Sequence, residues 1–565
     1  MKDEEEPVIL RLSVFAFCAL RDVWPIWLAL ALLTTLPYLA AALRTPTGYV
    51  FSGVLTAYDD TFTYFAWMRQ GADGHVLMCD PFTSEPQTCE FFLPLWYLLG
   101  LFARVTHIPI VLTFHAARLL AAVFLLMVGR GIAGSVMKSR AQVRYSLWLY
   151  ALSGGFGWLV YASKNRANLI DGAVMSGSVD LNMPEAIAFR SVFSQVHFAV
   201  GVALVCSAIT LFFGALVEKK PSRALLAGAL VSLLAVVHPY MVFVVCGVAG
   251  AALVALPWLT DRNKTARLNY RATARSAVAF GAGTIPGVAY AGYLSRSNEV
   301  LREWLRITDT FSPPPWEYAL GFGIVGVLAV VGFHLMWSAR ATQGRLLLIW
   351  AVVQAAMLYA PVSIQRRFVE GLQLPLSIAA SVALFWIARS SFTGSTVARR
   401  RKLFLGGAIV LASLTNVGFV IGQIASRGSV SGATDSRRYL SADLLRAFDW
   451  LRTNSEPDAV LFSSYLTGNL APSMTGLKVF LGHYAQTLRS DQKGAQVTEF
   501  YANTMGEEAA RQLFTEHRVR YIIYGQFERA ISSTFRAPSW LNLAYRSGDV
   551  EVFEVTEERA AGLQQ

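Results

Sequence analysis

VWPIWLALALLTTLPYLAAAL, residues 23–43, is followed about sixteen residues on by Tyr58-Asp59-Asp60-Thr61-Phe62-Thr63-Tyr64-Phe65-Ala66-Trp67. The first stretch carries no charge and has the length a helix needs to cross a hydrocarbon core of ~30 Å. The second sets two adjacent carboxylates just beyond it. Charge so close to a bilayer is costly to keep without a task. A span followed by an acidic pair points to chemistry at a membrane face, with a carboxylate as base or ligand.

The rest of the chain repeats the apolar theme. Of 565 residues, 54% are hydrophobic and only 15% are charged, whereas soluble domains carry about a quarter charged residues. Runs of about 17–25 apolar residues recur at approximately 23–43, 108–128, 145–161, 196–217, 224–237, 240–259, 276–294, 316–337, 346–360, 372–387 and 403–424. The expected fold is mainly α, a polytopic α-helical membrane protein of about eleven spans. His238-Pro239-Tyr240 breaks a run too long for one crossing. Residues 91–105 are apolar but brief, with Pro94 and Arg104, and read as an interfacial or re-entrant helix. Residues 8–20 mix apolar and basic side chains and read as a further interfacial helix. Residues 1–7 are acidic overall, and no cleavable signal peptide is expected.

The net charge of +12 does not signal nucleic acid, because the basic residues gather in short loops between apolar runs. The clusters are Lys138, Arg140 and Arg144; Lys219, Lys220 and Arg223; Arg262, Lys264, Arg267, Arg271 and Arg275; Arg340 and Arg345; and Arg389 with Arg399, Arg400, Arg401 and Lys402. All five fall on one side if the N-terminus is cytoplasmic. That orientation places loops 44–107, 162–195, 295–315 and 361–371 outside, together with the tail. The host membrane is read as a bacterial cytoplasmic membrane.

Residues 1–428 are therefore read as the transmembrane domain, with the acidic pair in its first outer loop at 44–107. Residues 429–565 are read as a small extracytoplasmic α/β domain. Leu444, Leu445, Phe448 and Leu451 have helical spacing, as does 507–516. Residues 459–463, 477–481 and 520–524 read as strands, and Ser547-Gly548-Asp549 as a hairpin turn. The tail has no phosphate-binding glycine motif, so nucleotide binding has no support. Cys79 and Cys89 share the first outer loop, where a disulfide is permitted, and are expected to pair. Cys18, Cys206 and Cys246 read as small apolar residues.

Two readings of the pair compete. Asp59 is a helix N-cap with a solvated Asp60 beside it, or the two serve catalysis or bind a metal. The aromatic residues that follow favour the second, because they would seat this helix at the membrane surface. An acidic pair on the first outer loop, just after the first span, resembles the hallmark of the GT-C superfamily of membrane glycosyltransferases. Asp59 to Tyr64 is similar to the acidic-acidic-x-x-x-aromatic form of its mannosyltransferase-like and aminoarabinose transferase-like members. Pro184-Glu185 with Phe189-Arg190 and His197, His238-Pro239-Tyr240, Ser312-Pro313-Pro314-Pro315 and Gln365-Arg366-Arg367-Phe368 extend the resemblance over most of the membrane region. It implies a polyprenyl-phosphate sugar donor, a lipid, glycan or protein acceptor, and a first acidic residue that acts as general base or helps place a metal.

The residues support that chemistry on their own terms. A leaving phosphate gains charge, which fixed cations stabilise. Arg366 and Arg367 suit this by bidentate bonding, against a plain snorkelling role toward lipid phosphates. The acceptor hydroxyl must lose a proton, which a carboxylate can take. His197 and His238 are candidates for phosphate or metal, or satisfied interfacial histidines, and Tyr240 joins them at the hairpin. Glu185 and Arg190 are candidates too, or pair with each other. Arg118, about ten residues into a span, either pairs within the bundle or meets the donor's phosphate. A divalent cation, Mg or Mn, would find ligands in Asp59, Asp60 and His238. The alternative functions are a transporter or flippase of lipid-linked sugar, or a non-catalytic envelope assembly protein.

Overall fold

The computed structural model describes residues 8–162, 177–259, 270–393, 395–426 and 436–555. Arg262, Lys264 and Arg267 of the third basic cluster lie outside the described residues, as do the acidic residues 1–7 and the side chain of Cys18. Among the described residues, eight helices are long and apolar enough to cross a membrane: Ala19–Leu43, Ile110–Val136, Val196–Glu218, Met241–Trp258, Tyr270–Ser297, Pro315–Ser338, Gln365–Ser391 and Val397–Ala425. The chain is a multi-pass α-helical membrane protein with a small sheet region near its C-terminus.

Three of the eleven expected runs are shorter helices. Pro221–Val237 has 17 residues and Thr342–Met357 has 16, which at 1.5 Å per residue reach only about 24–26 Å. The run at 145–161 breaks in two, into Arg140–Leu152 and Gly157–Ala162. The separate interfacial helix expected at 8–20 is instead continuous with the first span. Its backbone runs as one helix, Val8–Leu43, through Pro25 and Pro37.

Two compact units divide the chain. The first takes residues 1–39, 115–291 and 310–426. In it the backbone N–H groups of the broken run all find acceptors, as irregular backbone at membrane depth requires. Gly154 N donates to Ala412 O at 2.8 Å and Phe156 N to Leu320 O at 2.7 Å. Gly155 N and Gly157 N donate to Asp180 Oδ2 at 2.7 and 3.3 Å. Gln373 Nε2 donates to Ser153 O and Asn416 Nδ2 to Leu152 O, each at 2.9 Å. Gly155 has to be glycine, since a Cβ there would run into the Leu320 and Gly321 carbonyls. The facing helix is also broken, at Gly323, where φ is +48° and ψ is −133°.

The second unit takes residues 40–114, 292–309 and 427–565. The loop at 44–107, grouped above with the membrane region, thus falls in one unit with the tail. Tyr49–Phe51 pairs antiparallel with Tyr439–Ser441. Five strands form a sheet in the order Lys478–Val479, Val460–Phe462, Val519–Tyr524, Val550–Val555, Leu541–Ser547. The first three strands are parallel, and the last two form an antiparallel hairpin. Phe462, Phe480, Phe500, Tyr501 and Phe514 fill the core against it.

The stretch at 91–105 becomes a two-residue strand, Phe91–Phe92, and the helix Pro94–Thr106. Thirteen residues cover about 20 Å, too short to cross a bilayer. This helix packs closely on the helix Tyr58–Asp73. A Cβ at Gly100 would meet the Met68 carbonyl, and one at Gly71 would lie 2.9 Å from Tyr97 Cα. Tyr64 stacks on Trp96 with ring centroids 4.4 Å apart.

Candidate functional site

The acidic pair opens the helix Tyr58–Asp73. Its N-cap is Ala57, in the left-handed region at φ +50° and with no side-chain cap. The N-cap reading of Asp59 therefore does not hold: both carboxylates sit inside the first turn, where the helix dipole favours negative charge. Gly74, at φ +99°, closes the far end.

Within the same unit the tail supplies the partners of the pair. Asp59 Oδ1 accepts from Arg437 Nη1 at 2.6 Å and from the Tyr465 hydroxyl at 2.8 Å. Asn469 braces both, accepting from Arg437 Nη1 at 3.0 Å and donating to the Asp59 carbonyl at 3.3 Å. Burial works to raise the Asp59 pKa. The Arg437 charge and the bonds from Arg437 and Tyr465 outweigh it and hold the carboxyl below its usual range. Asp60 is more open, its side chain 55% exposed, and His483 Nε2 stands 3.5 Å from its Oδ1.

Gln70 ties this helix to the neighbouring loop by a two-way bond with Cys79: Gln70 Nε2 donates to Cys79 O at 3.0 Å, and Cys79 N to Gln70 Oε1 at 2.9 Å. Cys79 and Cys89 are joined as a disulfide. Inside that loop, burial pushes the Asp80 carboxyl up to about 7 despite the bond it accepts from Phe82 N–H. Burial also works to raise the Glu85 pKa, but Lys493 Nζ at 2.7 Å, with help from Thr83 and Arg489, brings it down to about 2.

The remaining candidates lie in the first unit. Glu185 Oε1 is 3.4 Å from Arg367 Nη1, and the Arg367 guanidinium lies 6.0 Å from the centre of the Tyr240 ring. His238 Nδ1 is 2.9 Å from Glu370 Oε2, and the rings of His197 and His238 are 5.4 Å apart. All of these but Arg367 and Tyr240 are buried. The structure so gathers Glu185, Arg367, Tyr240, His238 and His197 with a carboxylate, Glu370, that sequence reasoning did not single out. Arg366 adjoins them in sequence, its backbone N bonded to Thr310 O at 3.0 Å.

The pairing of Glu185 with Arg190 is not formed. Glu185 turns to Arg367, while Arg190 donates to Leu181 O at 3.0 Å and lies over the Phe419 ring. Arg118 is taken up inside the bundle. Its Nη1 donates to Val192 O at 2.9 Å, with Thr34 O and Phe193 O at 3.4 Å, and it lies over Tyr38. A buried arginine in a membrane bundle needs such carbonyls.

The donor set around the pair does not fit a resident divalent cation. A guanidinium already sits on Asp59, and His238 is engaged with Glu370. Among the described residues, no group of three or more His, Cys, Asp or Glu side chains is placed to hold a metal ion.

Among the described residues the chain has eight crossing-length helices and an α/β unit that carries the acidic pair, and a solved structure shows the same fold. The Archaeoglobus fulgidus oligosaccharyltransferase, solved tethered to an acceptor peptide, matches with a TM-score of 0.50 and 14% identity over 90% of this chain and 69% of that one. ArnT from Cupriavidus metallidurans, bound to undecaprenyl phosphate, matches with a TM-score of 0.49 and 10% identity over 94% of this chain and 98% of that one. No protein-family model matches the chain, and no curated protein does. The chain shares its fold with that oligosaccharyltransferase.

Proposed function

We propose that this chain is an inverting membrane glycosyltransferase. It moves one sugar from a polyprenyl-phosphate donor to a lipid, glycan or protein acceptor at the outer face of a bacterial cytoplasmic membrane. The observation that carries the reading is the carboxylate pair in the first turn of Tyr58–Asp73, held in one compact unit with Arg437, Tyr465 and His483. The shared fold with an oligosaccharyltransferase supports it.

The step needs few parts. The acceptor O–H gives its proton to a carboxylate of the pair, and its oxygen attacks the anomeric carbon. The bond from that carbon to the phosphate oxygen breaks, and its electron pair leaves with the phosphate. Arg366 and Arg367 are the proposed cations for that phosphate, because a planar guanidinium matches two phosphate oxygens at once.

Deleting the gene and weighing the envelope glycans, glycolipids and glycoproteins of the host by mass spectrometry tests the reading. One sugar should vanish from one class of molecule, with its lipid-linked donor accumulating. An unchanged envelope, or a donor that accumulates only on the cytoplasmic leaflet, would reject the transferase in favour of no role or of transport.

A further inference from the structure

We propose that a cleft in the second unit, lined by Arg69, Arg104, His107 and Arg452, binds the phosphodiester headgroup of an anionic phospholipid. The site stands apart from the acidic pair and does not depend on the transferase reading.

The cleft has a volume of about 730 Å³, within the ~300–1,000 Å³ of small-ligand sites. It lies toward the far end of the helix Tyr58–Asp73 from the carboxylates, Arg69 being about 14 Å along the axis from Asp60. Arg104 comes from the last turn of the helix Pro94–Thr106 and His107 is its C-cap. Arg452 comes from the last turn of the helix Ala442–Asn454. Three segments, one of them remote in sequence, thus bring basic side chains to one hollow. A single acid, Asp73, lines it with them.

Among the described residues, few acceptors answer these charges. A guanidinium carries five N–H donors. Arg69 reaches the carbonyls of Ser473 and Met474, both at 3.5 Å, and Arg104 the Ala72 carbonyl at 3.2 Å. Arg452 pairs with Asp449 at 3.0 Å, and its own side chain is 47% exposed. Burial depresses the Arg69 pKa; Asp73 opposes this, and the Arg452 charge adds to it. Like charges are thus held close enough to repel, and an anion between them lowers the energy of both. Guanidinium forks match phosphate oxygens in particular.

Position selects a lipid over a soluble anion. The wall of the cleft runs on to Ile110, which opens the crossing-length helix Ile110–Val136. The cleft therefore stands where that helix meets the bilayer surface, at the depth of the headgroups. The helix Pro94–Thr106 beside it has two apolar faces. Trp96, Gly100 and Ala103 are buried, while Leu98, Phe102 and Val105, spaced to share the other face, are 60, 49 and 70% exposed. Such a stripe, on a helix too short to cross, suits the interface, with its side chains among the acyl chains. By helical spacing Arg104 falls between the two faces, where a headgroup would meet it. In the topology that the five basic loops imply, these arginines also lie on the side disfavoured for positive charge. A cluster there calls for an anion to meet it.

The test uses the full-length protein purified in detergent, with bound lipid counted by native mass spectrometry. The parent should retain dioleoyl phosphatidylglycerol, and retain about tenfold less dioleoyl phosphatidylcholine, which has the same chains but no net charge. Arg104→Gln with Arg452→Gln changes two exposed side chains and should lower the apparent affinity for phosphatidylglycerol by about tenfold or more, because charged hydrogen bonds to the phosphate are lost. Should that protein fail to accumulate, either single variant should still lower it about threefold. Arg446→Gln with Arg546→Gln, two exposed arginines outside the cleft, should leave it unchanged. Inorganic phosphate at millimolar concentration should not displace the lipid.

Equal retention of the two lipids by the parent, or retention of neither, would overturn the headgroup site. So would phosphatidylglycerol binding that the cleft variants leave unchanged. Displacement by inorganic phosphate would make the ligand a soluble phosphate and overturn the lipid assignment. Undecaprenyl phosphate binding should stay at the parent's level in the cleft variants. If it falls together with phosphatidylglycerol binding, the cleft belongs to the proposed sugar donor and the inference fails.

Discussion

At the scale of the residue, the second unit carries two acids with opposite pH behaviour. Glu85 titrates at about 2 when folded, below its ordinary 4.5. The stability it adds is fully present above pH 4.5 and is lost as pH falls toward 2. Asp80 titrates at about 7 when folded, above its ordinary 3.8. Burial of the neutral acid therefore stabilises below pH 3.8, and that contribution is lost as pH rises through 7. Purified protein should melt at a lower temperature at pH 8 than at pH 5, and Asp80→Asn should flatten that difference. A variant with the slope of the parent would show that Asp80 is not buried neutral. In the first unit, Arg366→Lys and Arg367→Lys keep the charge but lose the planar fork. Each proposed phosphate contact is worth about 1.5–3 kcal/mol, so binding of undecaprenyl phosphate should weaken by roughly tenfold or more in the Lys variants and at least as much in the Ala ones. Unchanged binding in all four would move the phosphate site away from this pair.

Elements are set by where the chain can stop being regular. The run at 145–161 is apolar enough to read as one crossing, yet Gly154 and Gly155 interrupt it. Asp180, Gln373, Thr415 and Asn416 then serve the backbone that is freed. Gly155→Val should destabilise the protein by about 1–3 kcal/mol or more, as overpacking does, because the new atoms enter the Leu320 and Gly321 carbonyls. Asp180→Ala leaves the Gly155 and Gly157 amides without their acceptor and should cost about 1–3 kcal/mol. Melting of the detergent-purified variants reads both. A Gly155→Val protein as stable as the parent would mean that the break is not needed for packing.

At the scale of the whole molecule, the five basic loops predict a cytoplasmic N-terminus and a tail on the opposite side. Single cysteines placed at Asp491 and Arg399, both exposed in the structure, test it in intact cells. A membrane-impermeant thiol reagent should label the first and spare the second. The reverse pattern would put the acidic pair on the cytoplasmic side and reject the proposed outer face. The native Cys206 is buried, which keeps its background low.

Hydropathy alone was enough to place eight of the eleven runs, because an apolar stretch of crossing length has few other places to fold. The tail's helices at 442–454 and 507–516 and its hairpin were legible for a similar reason: periodicity and turn residues act locally. The acidic pair stood out because two adjacent charges beside a span are costly. The helix break at Gly155 was not legible, since what decides it is the approach of Leu320 and Gly321, far along the chain. Nor were the partners of the pair. Arg437, Tyr465 and His483 lie roughly 380–425 residues from Asp59 and Asp60 in sequence, in segments that carry no motif. Charge and apolar pattern are written residue by residue, so the sequence determined the membrane class and the presence of the acids. Which acid is clamped and which is left open depends on contacts made only when distant segments fold together, and the tertiary structure alone decided that.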